Sequence, residues 1–495
     1  MSPAQRQLQG RIGVVADDLT GAGDTGLQFH RGGFRSWLLS SFPPKDDLPV
    51  PGKVRAIAVN AGSRHLEAKQ AAECVARVAR WLQAMDCWHF YHKIDSTLRG
   101  NLAFEVSRLL SELDLDMAII APAFPLAGRI TVGGFQLVGG MPVFLSAYAN
   151  DPLAPVKESH IPTLLAPTNE KVDLVDLRTV LAGTEAIAGA FAEARSSGVR
   201  MLVVDAVRTE DLHAIAKAIE QSPLSVLPVG SAGLASMLTN ELSKTWCATA
   251  DYSSNWQGGG ALLPADSPSV LVGYHGYVGR VLSRTPPALV ISGSPNPVTL
   301  EQINHMGTNA RLVLVDVRQL LLTEASAQER APNSQKESLL ASEDRADIKR
   351  WAIHDELAMA TRQALQGLLA GRDVIVTGAL TAKQVAQDRE LGINLGMTQN
   401  QLGASLASAL GTLAYQVSRL VTLGGVVITG GETAAAVCSA LSATWLELVD
   451  EVLPAIPVAR ILGRNLRVVT KSGGFGEPGS LQLIVDYLRQ TQDMF

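Results

Sequence analysis

The amino-acid sequence predicts an α/β protein of two domains, each a mostly parallel sheet flanked by helices. The chain has 495 residues, whereas single domains usually run to about 100–200 residues, so more than one core is expected. Short apolar runs alternate with longer segments of helical periodicity along both halves. Between the halves, residues 251–266 (DYSSNWQGGGALLPAD) have the composition of a linker.

The first half begins with an apolar run at residues 11–16 that ends in acidic residues, a pattern typical of a buried strand. A helix is expected to follow over about residues 23–32. Further strands are predicted at residues 54–59, 88–93, 117–121, 201–205 and 227–229, and further helices at residues 65–85, 100–113 and after 229. This alternation implies a largely parallel sheet, in which ligands bind at the carboxyl ends of the strands.

The pattern changes at residues 124–151, which are rich in Gly and Pro and predict a long loop or hairpin packed near the site. Beyond the linker, strands are predicted at residues 288–292, 311–317, 373–377, 426–429 and 466–470. A boundary near residue 260 gives domains of residues 1–260 and 261–495. Residues 322–342 are polar and charged, which predicts an exposed insertion.

Composition narrows the classes of function. Hydrophobic residues make up 47% of the chain and charged residues 18%, enough to bury large cores. The net charge of -5 argues against a nucleic-acid-binding surface. The four cysteines are scattered and show no metal-ligand spacing. The amino terminus lacks the apolar segment of a secretory signal, so a cytoplasmic enzyme or binding protein is expected, without a membrane partner.

The most informative segment is ADDLTGAGDTG, residues 16–26, at the end of the first predicted strand. Asp17, Asp18 and Asp24 could accept a hydroxyl proton or orient a hydroxyl or a magnesium ion. The glycines at 21, 23 and 26 are expected to relax a turn. The structural alternative is helix capping by Asp18 or Thr20.

A second polar cluster, YHKIDSTLRGN, ends another predicted strand at residues 91–101. Lys93 and Arg99 suit a carboxylate or phosphate ligand, and Arg can bind such a group in a bidentate manner. Asp95 and Ser96 could bind sugar hydroxyls. The alternative is a helix cap with a solvated Arg99, but an arginine at a helix start opposes the dipole and favours an anionic partner. The shorter NAGSR segment, residues 60–64, could add Arg64 as an anion contact.

Three small-residue loops follow strands of the second half. They are Ser292-Gly293-Ser294, Thr429-Gly430-Gly431-Glu432-Thr433, and Gly473-Gly474-Phe475-Gly476 with Lys471 beside it. Such loops let backbone N–H groups approach phosphate oxygens. Each alone could be a tight turn, but together they favour one nucleotide site. The sequence contains no GxxxxGK[ST] loop, no GxGxxG after a strand, no GxSxG elbow and no HExxH, so phosphoryl transfer would use a non-Walker site.

Taken together, these motifs resemble the four-carbon acid sugar kinase family. Further matching segments are APAFPLAGRITVGG (121–134), GMPV and DPLAPV (140–156), and VGSAGLA (229–235). The matches run in family order over nearly the whole chain. The resemblance implies an N-terminal acid-sugar domain, a C-terminal ATP domain, and transfer of the ATP γ-phosphate to the 4-hydroxyl of threonate, erythronate or a 3-oxo-tetronate.

The resemblance also implies which residues bind each ligand. Substrate contacts map to Asp17, Arg64 and Lys93, Ile94, Asp95 and Ser96, with Asp18 beside them. ATP contacts map to Ser292 or Ser294, Gly430, Gly431, Glu432, Thr433 and Gly474.

The resulting hypothesis is a Mg²⁺- and ATP-dependent kinase of sugar-acid catabolism with its active site in the interdomain cleft. Asp17 is the first candidate for the base, with Asp18, Asp24 and Asp95 as alternatives, and Lys93, Arg64 and Arg99 hold the carboxylate or the transferring group. Glu432 is a candidate Mg²⁺ ligand. The rival hypotheses are a kinase for another hydroxy acid and a catalytically silent nucleotide- or sugar-acid-binding regulator. The oligomeric state stays open, with a homodimer as one alternative.

Overall fold

The fold is taken from a computed structural model, which describes residues 10–44, 50–151, 154–246, 286–307, 309–322 and 355–491. The predicted linker at 251–266 and the boundary near residue 260 lie outside the described residues, as does nearly all of the predicted insertion at 322–342. Everywhere else the predicted strands can be compared with the structure. Every one of them forms, and the α/β class is confirmed.

The first half contains eleven strands and eight helices within the described residues. The strands are β1 Arg11–Ala16, β2 Ser36–Leu39, β3 Ala56–Asn60, β4 Cys87–Lys93, β5 Met117–Ala121, β6 Arg129–Val132, β7 Phe135–Val138, β8 Met141–Pro142, β9 Val172–Val175, β10 Met201–Val204 and β11 Val226–Gly230. The helices are α1 Leu19–Arg31, α2 Ala68–Ala84, α3 Leu102–Glu112, α4 Ile161–Leu165, α5 Leu177–Leu181, α6 Thr184–Ser196, α7 Thr209–Gln221 and α8 Ala232–Trp246.

The second half follows the same alternation until its last hairpin. Its strands are β12 Ala288–Ser292, β13 Arg311–Leu314, β14 Val374–Thr377, β15 Gly425–Thr429, β16 Trp445–Leu453, β17 Ile456–Ile461 and β18 Arg467–Lys471. Its helices are α9 Pro297–Met306, α10 Asp355–Leu369, α11 Ala382–Asn394, α12 Gln399–Leu420, α13 Gly431–Ala440 and α14 Ser480–Gln490. Of the helices in the described ranges, none combines the length and apolar character needed to cross a membrane.

The two halves share one 15-stranded sheet. Its strand order is β13-β14-β12-β15-β18-β17-β16-β2-β3-β1-β4-β11-β5-β10-β9. All pairs from β2 to β9 are parallel, as are all pairs from β13 to β18. The β16–β17 hairpin joins the halves through antiparallel pairing with β2 and β18. A separate antiparallel sheet, β6-β7-β8, occupies the segment predicted as a loop or hairpin.

The hairpin also sets how the two sets of strand ends face each other. Traced through it, the strands of the second half run opposite to those of the first. Six strand-to-strand steps separate β1 from β15, and a twist of about 20–25° per step gives about 120–150° in total. This twist compensates for most of the 180° difference in strand direction between the two halves. The carboxyl ends of both sets of parallel strands can therefore lie at one cleft.

The joining hairpin and the strands β2 and β9 have no counterpart in the prediction, for physical reasons. Strands β2 and β9 have only four residues each, too few for a pattern to stand out. Strand β16 reads WLELVDEVL, and its acidic residues do not fit a fully buried strand. Glu447 is instead held by Arg35 and Arg460 across the junction, at 2.6 Å each. The neighbouring strands that explain β16 are far away in the sequence.

The predicted helix start near residue 23 is wrong, because α1 begins at Leu19. Asp18 caps it by accepting a hydrogen bond from the backbone N–H of Gly21 at 2.8 Å. The glycines expected to relax a turn therefore lie inside a buried helix. A Cβ on Gly26 would lie 2.7 Å from Leu448 Cδ1 and 3.1 Å from Ala58 Cβ. These glycines let α1 pack closely against β3 and the joining hairpin.

We predict that Gly26→Leu destabilises the fold and that Gly189→Leu does not. Both positions are helical, but a Cβ at Gly189 meets nothing within 4 Å, whereas Gly26 is closed in by β3 and β16. Overpacking at residue 26 should cost roughly 1–3 kcal/mol. Thermal unfolding of the two variants beside the natural chain measures this. Equal melting temperatures for both variants would contradict the packing role of Gly26.

Candidate active site

Three neighbouring strands of the first half bring their polar ends together around Arg64. In the register of the sheet, Ala16 at the end of β1 pairs with Asn60 on one side and Lys93 on the other. The chain then continues into Asp17, into the loop carrying Arg64, and towards Asp95. Arg64 donates through Nε to Asp17 Oδ2 and through Nη2 to Asp17 Oδ1, both at 2.8 Å. Its Nη2 also lies 2.8 Å from Asp18 Oδ1 and 4.0 Å from Asp95 Oδ1.

This cluster is almost fully buried, and its charges are mutually dependent. Burial raises the pKa of Asp17, and the Arg64 guanidinium opposes that rise. Burial also disfavours ionisation of Asp18, but the charges of Arg64 and Lys93 outweigh it and lower the pKa of Asp18. Although burial acts against the Arg64 cation, the three carboxylates raise its pKa well above the usual value. Arg64 therefore stays charged.

Arg99 forms a second buried ion pair beside the first. Its Nε and Nη2 donate to the two Asp95 carboxylate oxygens at 2.7 and 3.1 Å, and its Nη1 donates to Asp151 Oδ2 at 3.0 Å. Burial would raise the pKa of Asp95, but Arg99 and Arg64 hold it well below its usual range. The Arg99 guanidinium lies 5.3 Å from the ring centre of Tyr148, which belongs to the segment between β5 and α4. Arg99 is thus neutralised by protein carboxylates.

Lys93 and Asp24 both line the cleft beside the start of α1. The Lys93 ammonium donates to the Ile94 carbonyl at 2.8 Å and would lie 2.9 Å from a Cβ on Gly21. Asp24 lies one turn further along α1, with Gln28 Nε2 at 3.5 Å from its Oδ1. Burial raises the pKa of Asp24 to about 7, against the opposing charge of Lys93. At neutral pH this carboxyl can either hold or release a proton.

The three small-residue loops of the second half also meet at one place. Strands β14, β12, β15 and β18 are adjacent, and Thr377, Ser292, Thr429 and Lys471 lie in one register row at their carboxyl ends. The Thr299 hydroxyl donates to the Gly473 carbonyl at 2.7 Å and lies 3.3 Å from the Thr429 hydroxyl. The predicted convergence of these loops is therefore present in the fold.

Glycine is required at several points where these loops approach each other. Gly430 has a φ of 101°, in the region that favours glycine, and a Cβ there would lie 3.4 Å from Ser294 Cβ. A Cβ on Gly473 would lie 2.2 Å from Ser294 Oγ. The Ser292 hydroxyl is fully buried and has no hydrogen-bond partner among the described residues. The arrangement leaves backbone N–H groups and one hydroxyl available to a ligand.

Lys471 is fully buried at the base of the last loop. Its ammonium donates to the carbonyls of Ser472 and Phe475 at 3.0 Å each. Burial lowers the pKa of Lys471 to about 7. The side chain ties the ends of the 472–475 turn together.

Glu432, at the first turn of α13, lies between the two halves. Its Oε1 is 3.9 Å from His65 Nε2, and its Oε2 lies 2.9 Å from the Cβ position of Gly403. Burial raises the pKa of Glu432, and Asp151 adds to the rise. No group of three or more His, Cys, Asp or Glu side chains among the described residues could hold a metal by itself.

One cleft joins the two groups of residues. It is lined by Asp18, Thr20, Gly21, Asp24, Arg64, Lys93, Asp95, Ser96, Phe124, Ser231, Ala232, Ala455, Ser472 and Phe475. Residues of both halves therefore form its walls. At the junction, a Cβ on Gly431 would lie 2.9 Å from Asp18 Oδ2, so the start of α13 approaches the cap of α1 directly.

The predicted site residues lie in two regions, one along the cleft and one at the strand ends of the second half. Asp18, Arg64, Lys93, Asp95 and Ser96 line the cleft. Asp17 lies behind them, with both carboxylate oxygens bound to Arg64. The glycine-loop residues gather at the adjoining strand ends of the second half.

Several lining residues carried no predicted role. Three of them are Phe124, Ser231 and Phe475. They fall in the segments 121–134, 229–235 and 472–476, and the resemblance of these segments to the family is the feature of the sequence that could have identified them. Ala455 lies in the turn of the joining hairpin, with a φ of 65°. Because that hairpin was not recognised, nothing in the sequence pointed to Ala455.

Two protein-family models match the chain, one for each of the two halves that form the cleft. Residues 12–238 match a family model described as a sugar-binding N-terminal domain, and residues 289–481 match a nucleotide-binding C-terminal domain. A protein with these two domains on either side of one cleft belongs to the class that brings a sugar and a nucleotide together.

Relatives that align over nearly their full length indicate which kind of sugar- and nucleotide-binding protein this is. The chain is 30% identical to a D-threonate kinase of Salmonella typhimurium, over 97% of this chain and 98% of that protein. It is 27% identical to a D-erythronate kinase of Heliobacterium modesticaldum, with 96% of each covered, and 26% identical to a 3-oxo-tetronate kinase of Haemophilus influenzae, with 98% and 100% covered. The chain belongs to the four-carbon acid sugar kinase family, as its motifs indicated.

Solved structures agree on the fold. A crystal structure from Haemophilus influenzae aligns with a TM-score of 0.64 at 21% identity, covering 97% of this chain and all of that one. Another from Salmonella typhimurium aligns with a TM-score of 0.69 at 21% identity, covering 96% and 98%. The two-part α/β architecture is therefore shared beyond this chain.

We predict that Asp24→Asn stabilises the folded chain increasingly as the pH rises. The folded state keeps the Asp24 proton up to about pH 7, whereas the unfolded chain releases it near pH 3.8. The wild-type carboxyl therefore destabilises the fold progressively between these values, and the amide does not. The stability difference should grow from pH 5 to pH 8, reaching on the order of 3 kcal/mol. Melting temperatures measured in parallel provide the test, and a difference independent of pH would contradict it.

Proposed function

We propose that this chain transfers the γ-phosphoryl group of ATP to the terminal 4-hydroxyl of a four-carbon acid sugar such as threonate, erythronate or a 3-oxo-tetronate, in cytoplasmic sugar-acid catabolism. The observation that carries the proposal is the single cleft walled by a charged cluster from one half and by a glycine loop from the other. We assign the acid to residues 1–260 and the nucleotide to residues 261–495. The names of the relatives support this choice of substrate class.

The acid is held by the Lys93 side of the cleft in this proposal. Arg64 and Arg99 are already paired with carboxylates, whereas Lys93 donates to a backbone carbonyl and keeps donors for a ligand. An ammonium in a buried site is a strong partner for the carboxylate of a sugar acid. Asp18, Asp95 and the Ser96 hydroxyl supply acceptors for the sugar hydroxyls. The buried Arg64 fixes the positions of both carboxylates.

The proton of the attacking hydroxyl goes to a carboxylate of the cleft. Asp17, the first candidate from the sequence, has both oxygens bound to Arg64 and serves better as a positioning residue. Asp24 lines the cleft, makes only long contacts to Gln28, and has a pKa raised by burial to about 7. A base with a pKa near the working pH is the most effective proton acceptor. We therefore assign Asp24 as the base.

The nucleotide phosphates fit the glycine loops of the second half. Ser292, Ser294, Gly430, Gly431, Thr433 and Gly474 would hold them. The buried Ser292 hydroxyl, which has no partner among the described residues, supports this assignment, as does the position of Gly430 and Gly431 at the start of α13, because a helix N-terminus favours phosphate. A bound Mg²⁺ would neutralise charge on the phosphates. The single carboxylate of Glu432 suits a cation that takes most of its ligands from substrate phosphates and water.

We expect Ser292→Ala and Ser96→Ala to separate the two ligands. The Ser292 hydroxyl makes no hydrogen bond to any residue that the structure describes, so its removal should leave stability unchanged and raise the KM for ATP about 10-fold. Ser96→Ala should raise the KM for the acid and leave that for ATP unchanged. Steady-state kinetics with each substrate varied provides the measurement. A rise in the acid KM for Ser292→Ala would contradict the assignment of the two ends of the cleft.

Coupled ADP release over a panel of three- to six-carbon sugar acids tests the proposed reaction itself. We expect turnover with a four-carbon acid and a product phosphorylated at the terminal carbon. Turnover only with longer acids would favour a kinase for another hydroxy acid. ATP binding without turnover on any acid would favour a silent binding protein and contradict the proposal.

A further inference from the structure

Arg129 lies where the first half reaches across the cleft towards the nucleotide loops. It is the first residue of β6, and its backbone is fixed by two hydrogen bonds with Phe124, whose side chain lines the cleft. Gly128, with a φ of 71°, closes the turn immediately before it. The backbone of Arg129 is therefore anchored beside the cleft, although the residue has no role in the function proposed above.

The Arg129 side chain is buried and contacts the last glycine loop. Its guanidinium carbon lies 4.9 Å from the ring centre of Phe475, in the loop that follows β18. One terminal nitrogen donates to the Ala127 carbonyl, and the other lies 3.3 Å from the Tyr148 hydroxyl. That hydroxyl is itself 3.0 Å from the Cβ position of Gly474. The guanidinium thus sits against a loop already assigned to the ATP phosphates.

Arg129 also lacks the counter-charges that the neighbouring arginines have. Arg64 and Arg99 are each paired with carboxylates. Within the described ranges, no carboxylate lies within 4.0 Å of the Arg129 guanidinium, and its buried Nε has no hydrogen-bond partner. Burying a cation without an anion is costly, and an unused N–H adds to the cost. The position is one that an anionic ligand would complete.

We propose that Arg129 binds the γ-phosphoryl group of the nucleotide and stabilises it during transfer. This inference rests on the proposed function and adds a residue of the acid-binding half to the phosphate site. The bond from the sugar hydroxyl oxygen to the γ-phosphorus forms as the bond to the β–γ bridging oxygen breaks. The bridging oxygen leaves with its electron pair on ADP, and the hydroxyl proton passes to the carboxylate base. A planar guanidinium can bind two oxygens of the transferring group at once.

The position of Arg129 would also link the two ligands. Phe475 lines the cleft and contacts the Arg129 guanidinium with its ring. The ring of Tyr148 contacts Arg99, which pairs with Asp95. The same stacked side chains therefore contact both the acid-binding cluster and the glycine loop. A phosphoryl group held by Arg129 is placed towards the acid rather than towards solvent.

The test compares Arg129→Ala, Arg129→Lys and Arg77→Ala, an exposed arginine of α2, as the control. We expect Arg129→Ala to lower kcat by roughly 100- to 1,000-fold with little change in the KM for the acid. Arg129→Lys should recover only part of this loss, because it keeps the charge without the bidentate fork. Added guanidinium ion should partly restore Arg129→Ala and have no effect on Arg77→Ala. A kcat within threefold of wild type, or a loss confined to the acid KM, would overturn the proposal.

Binding measurements without turnover separate this inference from the proposed function. Calorimetric titration should show that Arg129→Lys and Arg129→Ala weaken ATP binding and leave ADP binding unchanged, because only ATP carries the γ-phosphate. Equal affinities of variant and wild type for ATP would overturn the role of Arg129 even if the kinase assay succeeds. If no acid is phosphorylated in the kinase assay, the proposed function is contradicted, but the comparison of ATP and ADP binding still tests the role of Arg129. Melting temperatures identify any variant that fails to fold. If Arg129→Ala does not fold, Arg129→Lys provides the test.

Discussion

The buried guanidinium of Arg64 makes the interactions on which the proposed acid-binding end of the molecule depends. It binds Asp17 and Asp18 at 2.8 Å and reaches Asp95 at 4.0 Å, so it ties together the segments that follow β3, β1 and β4. Loss of either partner would leave uncompensated charge in a site closed to water, where the penalty is several kcal/mol. The Arg64 cluster therefore fixes the strand ends before any ligand arrives, whereas Lys93 beside it donates to a backbone carbonyl and keeps donors for a ligand.

The second constraint is the continuity of the sheet. The hairpin β16–β17 pairs with β2 on one side and β18 on the other, so the two halves are joined by backbone hydrogen bonds as well as by the chain between them. Helix α1 packs beneath this junction and is capped by Asp18, which lies next to Gly431. The distance between the acid pocket and the nucleotide loops is thereby set by the sheet and by one helix that touches both halves.

Much of this could be predicted from the sequence, because buried parallel strands produce continuous apolar runs and their polar ends mark the site. The carboxylates of ADDLTGAGDTG and the three glycine loops were located in this way. The role of Gly26 in α1 could not be predicted, because the partners that leave no room for a side chain there, Ala58 and Leu448, are distant in sequence. The hairpin was missed for the same reason, and with it Ala455. Asp17 and Asp18 are adjacent in sequence and both bind Arg64, and only the folded structure shows that Asp18 lines the cleft while Asp17 lies behind it.

In the function proposed above, the acid and the ATP phosphates occupy opposite walls of one cleft. A crystal structure with a four-carbon acid sugar and a non-hydrolysable ATP analogue tests it most directly. We expect the acid carboxylate on Lys93, the phosphates on the loops at 292–294, 430–433 and 472–476, and the attacking oxygen about 3–3.5 Å from the γ-phosphorus. An acid bound elsewhere, or phosphates bound against Asp17 and Asp18, would contradict it.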